Sequence, residues 1–245
     1  MASEISRTLT LRKAREVAGS LSYPQKMPGT SYALPASACI LGAKLARIPG
    51  TACSACYALK GTYARGTTLK AMRRRLAGIA HPLWADAMVE LLQATHAKAR
   101  IKVDCGAIGV RRQRAGLGKR YQWNEPGWHR WHDSGDLQSV DHLAKICEVA
   151  RRTPRLMHWL PTQELSFVRS FIAEGGAIPP NLVIRVSSIR IGDKRRRLWP
   201  HTSSVYAGAP PEGAHACPAP KQGHKCGPCR ACWSPSVAHV AYELH

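Results

Sequence analysis

The sequence predicts an α/β fold built on a parallel sheet, and three observations carry that prediction. Strand-like and helix-like stretches alternate between residues 128 and 187 with polar turns between them. The run NLVIRVS at 181–187 is rich in β-branched residues, as in a strand buried on both faces. An apolar stripe of Val140, Leu143, Ile146, Cys147 and Ala150 recurs at helical spacing. Strand, helix, strand, helix, strand within about 60 residues implies parallel pairing with right-handed crossovers.

The elements are justified in chain order. Residues 11–17 form a basic helix candidate ahead of Gly19, Pro24 and Pro28, and 30–34 (TSYAL) reads as a short strand closed by Pro35. Residues 35–63 are expected to be a loop carrying Cys39, Cys53 and Cys56. Helices are predicted over 69–79 and 83–97, the second with Trp84, Ala87, Met88, Leu91 and Leu92 on one face as a core stripe. Residues 100–127 read as a hairpin around the tip RRQRAGLGKR, or as an insertion ordered on binding. A strand at 128–132, the turn Asp133-Ser134-Gly135-Asp136, a helix at 139–151, a strand at 156–160, the turn Pro161-Thr162-Gln163-Glu164, a helix at 165–173 and the strand at 181–187 follow. From residue 194 the rhythm stops and Pro and Gly become frequent. A segment so poor in apolar residues is expected to be ordered by a bound metal or cluster. The organisation is therefore a basic segment (1–29), a core (30–193) with an insertion (100–127), and a cysteine-rich extension (194–245).

Composition bounds the function. At 44% hydrophobic residues the chain can cover its ordering entropy, which excludes wholesale disorder. Its most apolar stretch, 82–97, is broken by Asp86 and Glu90 and falls short of the ~20 apolar residues of a membrane span. The first residues lack a continuous apolar core, so no secretory signal is expected and a cytoplasmic location follows. With 36 Lys and Arg against 15 Asp and Glu, the formal charge is +21. Such a field favours a polyanionic partner, nucleic acid and most plausibly DNA. Arg111, Arg112, Arg114, Lys119 and Arg120 at the insertion tip are the candidate phosphate contacts, and a solvated basic surface is the bland alternative.

Seven of the nine cysteines fall in two groups, which without a signal peptide points to ligation in a reducing compartment. Cys217, Cys226, Cys229 and Cys232 read C-x8-C-x2-C-x2-C, with Pro218 after the distant cysteine. Structural zinc sites prefer two separated pairs, whereas three cysteines at two-residue spacing suit a cubane in which each thiolate takes a different iron. Zinc remains the alternative, with His215 and His224 at hand. Cys39, Cys53 and Cys56 read C-x13-C-x2-C. Three ligands leave one iron of a [4Fe-4S] cluster open, unless Cys105 or a histidine fills the place. Their loop follows the first predicted strand, where a cofactor meets the carboxyl ends of a parallel sheet. Asp133, Ser134, Asp136, Gln163, Glu164, Arg185 and Ser187 lie on or after the other strands and are the candidate cofactor-binding set. The local alternatives are helix caps and ion pairs.

KMPGTSYALPASAC, the C-x2-C-Y-A-L-K-G of residues 53–61, RWHDSGDLQSVDHL, HWLPT, PPNLVIRVS and the terminal C-P...C-x2-C-x2-C-W occur in the order seen in the phage "gene product 88" family, which the chain resembles over most of 26–233. That architecture is in turn similar to the radical S-adenosylmethionine (SAM) superfamily, a partial (β/α) barrel with a cysteine-rich extension in some members. The resemblance implies a [4Fe-4S] cluster on Cys39, Cys53 and Cys56 whose open iron binds SAM. It further implies an auxiliary cluster on Cys217, Cys226, Cys229 and Cys232. Two features depart from that superfamily: a first gap of thirteen residues rather than three, with Ala55 in place of an aromatic, and no Gly-Gly-Glu segment after the second strand.

The leading expectation is a radical-SAM-type enzyme that modifies a nucleic-acid base, with a reductant such as flavodoxin or ferredoxin as partner. The rivals are a non-catalytic, zinc-dependent nucleic-acid-binding protein and a Mg²⁺-dependent hydrolase using the strand-end carboxylates. No catalytic acid or base is legible from the residues.

Overall fold

The computed structural model describes residues 9–104, 126–193 and 199–244. Seven strands form one sheet in the order β1-β2-β3-β4-β5-β7-β6: β1 Thr30–Tyr32, β2 Trp128–Trp131, β3 Met157–Thr162, β4 Leu182–Ser187, β5 Thr202–Tyr206, β6 His215–Ala216 and β7 His239–Glu243. Every neighbouring pair is parallel. The sheet is not closed, and β1 and β6 are its edges.

The helices are α1 Leu11–Ala18, α2 Leu41–Leu45, α3 Gly66–Gly78, α4 Trp84–Asp104, α5 Val140–Arg152 and α6 Leu165–Ala173. Thr10 caps α1 and Ser139 caps α5, each accepting a first-turn amide that the helix leaves without a partner. Because side chains alternate across a strand, the sheet has two different faces. Tyr32, Trp131, Leu160 and Ile184 point to one, where α1, α4, α5 and α6 build the main core with Val17, Trp84, Met88, Leu143, Ile146 and Val168. Trp84 Nε1 donates to Tyr32 Oη at 3.0 Å, and that hydroxyl donates to Ala18 O at 2.6 Å. One phenol thus ties α4 and α1 to β1. The opposite face carries Trp159 and Val240, covered by Ala231, Cys232 and Trp233 of the C-terminal segment.

The helix face also buries histidines. His129, His142 and His158 are fully buried and His132 nearly so. Thr153 Oγ1 donates to Val149 O at 2.7 Å, so it accepts from His158 Nε2 at 2.9 Å and leaves His158 Nδ1 without a proton. The Gly127 amide donates to His96 Nδ1 at 3.0 Å, which makes His96 Nε2 the donor to Thr30 Oγ1 at 3.3 Å. Thr30 then donates to His129 Nδ1 at 2.8 Å. These rings are held neutral.

Two expectations are corrected. Residues 100–104 continue α4 rather than starting a hairpin strand; the rest of the insertion lies outside the described residues. The C-terminal extension is not ordered by its cysteines alone, since it adds β5, β6 and β7 to the sheet. The predicted loop at 35–63 also contains α2, the 3-10 turns Ala36–Ala38 and Tyr57–Leu59, and most of a third at Gly61–Ala64.

Candidate functional site

The N-terminal cysteine loop is fastened across the carboxyl ends of three strands. Leaving β1, the chain crosses the end of β2, where Leu34 N donates to Ser134 O at 2.8 Å. A short turn at Ala36–Ala38 delivers Cys39, and the Leu41 amide that follows donates to Glu164 Oε1 at 2.6 Å, beyond β3. Ala52 N donates to Ile189 O and Ile191 N to Gly50 O, both at 2.9 Å, binding the loop to the segment after β4. Cys53 and Cys56 sit in one tight turn closed by Cys56 N to Cys53 O at 3.2 Å.

Gly42 lets the thiols come together. A Cβ there would stand 3.6 Å from Cys39 Sγ, 3.7 Å from Cys53 Sγ and 3.0 Å from Cys39 Cβ. Burial first, and then Asp136, Glu164 and the neighbouring thiols, push the Cys39 thiol up to about 12 and the Cys53 thiol up to about 11. The three cysteines therefore share one electrostatic neighbourhood with two carboxyls. At these values the thiols keep their protons, and a metal or cluster bound there would have to displace them. Among the described residues no three His, Cys, Asp or Glu side chains stand close enough to share a single ion.

The strand-end residues divide into brackets and open groups. Asp133 is a bracket: Ser31 Oγ donates to Oδ1 at 2.7 Å, Tyr63 Oη to Oδ2 at 3.0 Å, and Tyr57 Oη to its carbonyl. Asp136 accepts from Leu137 N at 2.7 Å, Thr162 Oγ1 at 2.6 Å and Gln163 N at 2.8 Å, so it joins the turn after β2 to the turn after β3. Burial nonetheless raises its carboxyl to about 7, against the lowering by those hydrogen bonds. Glu164 holds α2. Ser187 Oγ lies 3.3 Å from Ser203 Oγ on β5. The open groups are Ser134 Oγ, Gln163 Oε1 and Ser188 Oγ, all buried and without a hydrogen-bond partner among the described residues. They follow β2, β3 and β4, one at each strand end. Gln163 Nε2 donates to Ser188 O at 3.0 Å, which puts two of them side by side. Each unsatisfied group costs about 1–3 kcal/mol, which a ligand with matching polar atoms would return.

Arg185 stands apart from this set. It lies on the face opposite the helices, where its Nε donates to Cys232 O at 2.9 Å and its Nη2 to Ala231 O at 2.7 Å and Ser234 O at 2.9 Å. Its chemistry belongs to the C-terminal cysteines. These sit beside β6 and β7: Cys217 N donates to Ala241 O at 2.8 Å, Cys226 N to Lys26 O at 2.9 Å, and Cys229 N to Cys226 O at 3.1 Å. Cys229 Sγ lies 3.4 Å from His215 Nε2 and Cys232 Sγ 3.1 Å from Tyr242 Oη. Burial raises the Cys232 thiol to about 12, against the lowering by Tyr242 and Arg185.

Sequence reasoning missed Arg130, which stacks on the Trp159 ring at 4.4 Å and touches Met27 Sδ at 3.2 Å. Arg130 and Arg185 form no ion pair with a carboxylate among the described residues, and Arg130 Nε and Arg185 Nη1 are buried without partners. A buried cation needs compensation. The thiols of Cys226 and Cys232 feel Arg130, and Cys232 feels Arg185 as well. Arg130 already feels Tyr57 and the Asp133 carboxylate, and thiolates of a loaded C-terminal centre would add negative charge beside both arginines. The signal that could have found it is its alternation with the buried Trp131 on β2, which turns it away from the helices. Arg111, Arg112, Arg114, Lys119, Arg120 and Cys105 lie outside the described residues.

No helix among the described residues is long and apolar enough to cross a membrane. Neither a curated protein nor a solved structure matches the chain. The family model described as gene product 88 matches residues 5–235, nearly the whole length, and the chain therefore belongs to the gene product 88 family.

Proposed function

We propose that this protein is a radical-SAM-type enzyme whose Cys39, Cys53 and Cys56 hold a [4Fe-4S] cluster, while Cys217, Cys226, Cys229 and Cys232 hold an auxiliary one. The observation that carries the reading is the pairing of a three-thiol loop with three buried, partnerless polar atoms at the ends of β2, β3 and β4. A cluster takes each thiolate on its own iron, so the thiols need not converge on one ion. When bound, SAM on such a cluster would supply radical chemistry: one electron from a reductant would cleave its C5′–S bond, methionine would leave, and the 5′-deoxyadenosyl group would take a hydrogen atom from a carbon of the substrate.

The chain's own residues bind and orient. Ser134 and Ser188 hydroxyls can each donate and accept, and Gln163 Oε1 accepts, a set that suits the hydroxyls and amino groups of a nucleoside-bearing cofactor. Tyr57 and Tyr63, in edge contact with each other, both donate to Asp133 and so tie the end of the cysteine loop to the turn after β2. Arg130 and Arg185 balance the thiolate charge of the second centre. The charge of +21 favours a nucleic-acid base as substrate, and a base inside duplex would have to be flipped out to reach the strand ends.

Anaerobic purification followed by iron, sulfide and zinc analysis tests the reading. Changing Cys39, Cys53 and Cys56 together to Ala should remove about half the iron, if each centre holds four irons, and abolish reductive cleavage of SAM. Full iron and undiminished cleavage in the triple variant overturn the assignment. Wild-type protein containing zinc without iron or sulfide overturns it in favour of the zinc-dependent binding protein.

A further inference from the structure

We infer that the surface running from α2, across the 60–65 turn, to the outer side of α3 is where a nucleic-acid backbone docks beside the strand-end site. Residues 17–85 contain nine Lys and Arg and no Asp or Glu. Arg75 alone of the α3 cations turns inward, donating to Ser20 O at 2.7 Å and Ala33 O at 3.3 Å. Lys44, Arg47, Lys60, Arg65, Lys70, Arg73 and Arg74 are all exposed. Every ion pair among the described residues lies elsewhere, on α1, α4 and α5. The carboxylates nearest these elements, Asp133 and Glu164, are buried and hydrogen-bonded to Tyr63 and to the Leu41 amide, so the seven exposed cations gain most from a polyanion.

The cations sit on connected elements. Lys70, Arg73 and Arg74 lie on the side of α3 opposite its buried Met72 and Arg75. The turn at Gly61–Ala64 packs against α3 on one side and against the Tyr57–Leu59 turn on the other. That second turn reaches the site directly through Tyr57 Oη and the Asp133 carbonyl. Gly61 and Gly66 both adopt φ +59 with no atom within 4 Å of the position a Cβ would take. A phosphate chain can therefore approach the backbone closely at two points. Tyr57 at 56% exposure and Leu59 at 44% stand among the cations and offer an unpaired base a face to stack on.

Docking rests on the proposed function only in taking the strand ends as the place of chemistry; binding itself needs no cluster. Fluorescence anisotropy of the full chain with single-stranded DNA, RNA of the same sequence and duplex DNA, at several salt concentrations, tests it. Each engaged cation contributes about 0.9 to the slope of log affinity against log salt on duplex and about 0.7 on a single strand. The variant K70A/R73A/R74A should flatten the duplex slope by about 2–3 units, and adding K44A/R47A/K60A/R65A should extend the loss to about 6. The control R151A/R155A/R169A removes three exposed cations from α5, the turn after it and α6, and should change the slope by less than about 1. Equal flattening by the control, no flattening by the α3 triple, or an α3 effect confined to anionic phosphatidylserine vesicles each overturn the proposal. Iron content, read on the same samples, separates the two readings: weakened binding with full iron supports docking, and iron loss with unaltered binding indicts the cluster site instead. If the sevenfold variant fails to fold, the two triples carry the test.

Discussion

Lowering the pH from 7 to 5 should destabilise this protein through its buried histidines. Burial lowers His96 to about 4 and His142 and His158 to about 3, and holds His129 and His132 well below the usual range. In the unfolded chain each titrates near 6.5. Between 6.5 and the folded values the unfolded state binds more protons, so stability falls as pH falls, and the loss stops only near pH 3–4. Each such histidine removes about 1.4 kcal/mol per pH unit, and the three with defined values together remove about 4. Asp136 opposes this, because its folded carboxyl, raised to about 7, binds a proton before the unfolded one does and gains stability on acidification. It offsets at most one histidine. Against a total stability of about 5–15 kcal/mol, the net loss of about 3–4 kcal/mol between pH 7 and 5 is a large fraction.

A single substitution isolates the effect. His142 is fully buried, edge-on to Trp84 at 5.4 Å and beside His132 at 5.4 Å, with Lys145 and Asp141 as the charged groups that act on it. His142→Leu removes the titration at similar volume and should reduce the pH dependence of stability below 6.5 by about 1.4 kcal/mol per unit. Urea unfolding followed by tryptophan fluorescence, on wild type and variant matched for iron content, measures it, and the matching cancels protons linked to the cysteines. An unchanged slope would show that His142 is solvated or already charged in the folded protein.

Two further predictions follow from the cysteine centres. Arg185→Leu leaves the carbonyls of Ala231, Cys232 and Ser234 without their donor, at about 1–3 kcal/mol each; thermal unfolding should shift down sharply, with Arg185→Lys intermediate, and an unmoved Tm would deny the arginine its bracing role. Gly42→Ala places a methyl 3.0 Å from Cys39 Cβ and within 4 Å of two sulfurs; iron content should fall while the circular dichroism spectrum stays that of wild type, and full iron in this variant would remove the glycine from the site.

The sequence by itself determined the βα rhythm from β2 to β4, because the apolar periodicity of those elements is local. The helix at 165–173 has the bounds of α6, and the cysteine loop follows β1 as its position in the chain implies. Tertiary structure decided what no local pattern encodes. TSSVY and HVAYE became internal strands because β5 and β7 pair with each other across some thirty intervening residues, with Val240 of β7 buried against 231–233. The carboxyls of Asp133, Asp136 and Glu164 looked like ligand groups from their places after strands, and folding spends them on amides and hydroxyls of neighbouring turns. Arg185 looked like a member of that set, yet strand alternation sends it to the opposite face, where it meets three carbonyls of the C-terminal turn. Whether a polar side chain is open or satisfied depends on partners that are distant in sequence, so it is settled only when the sheet brings them together.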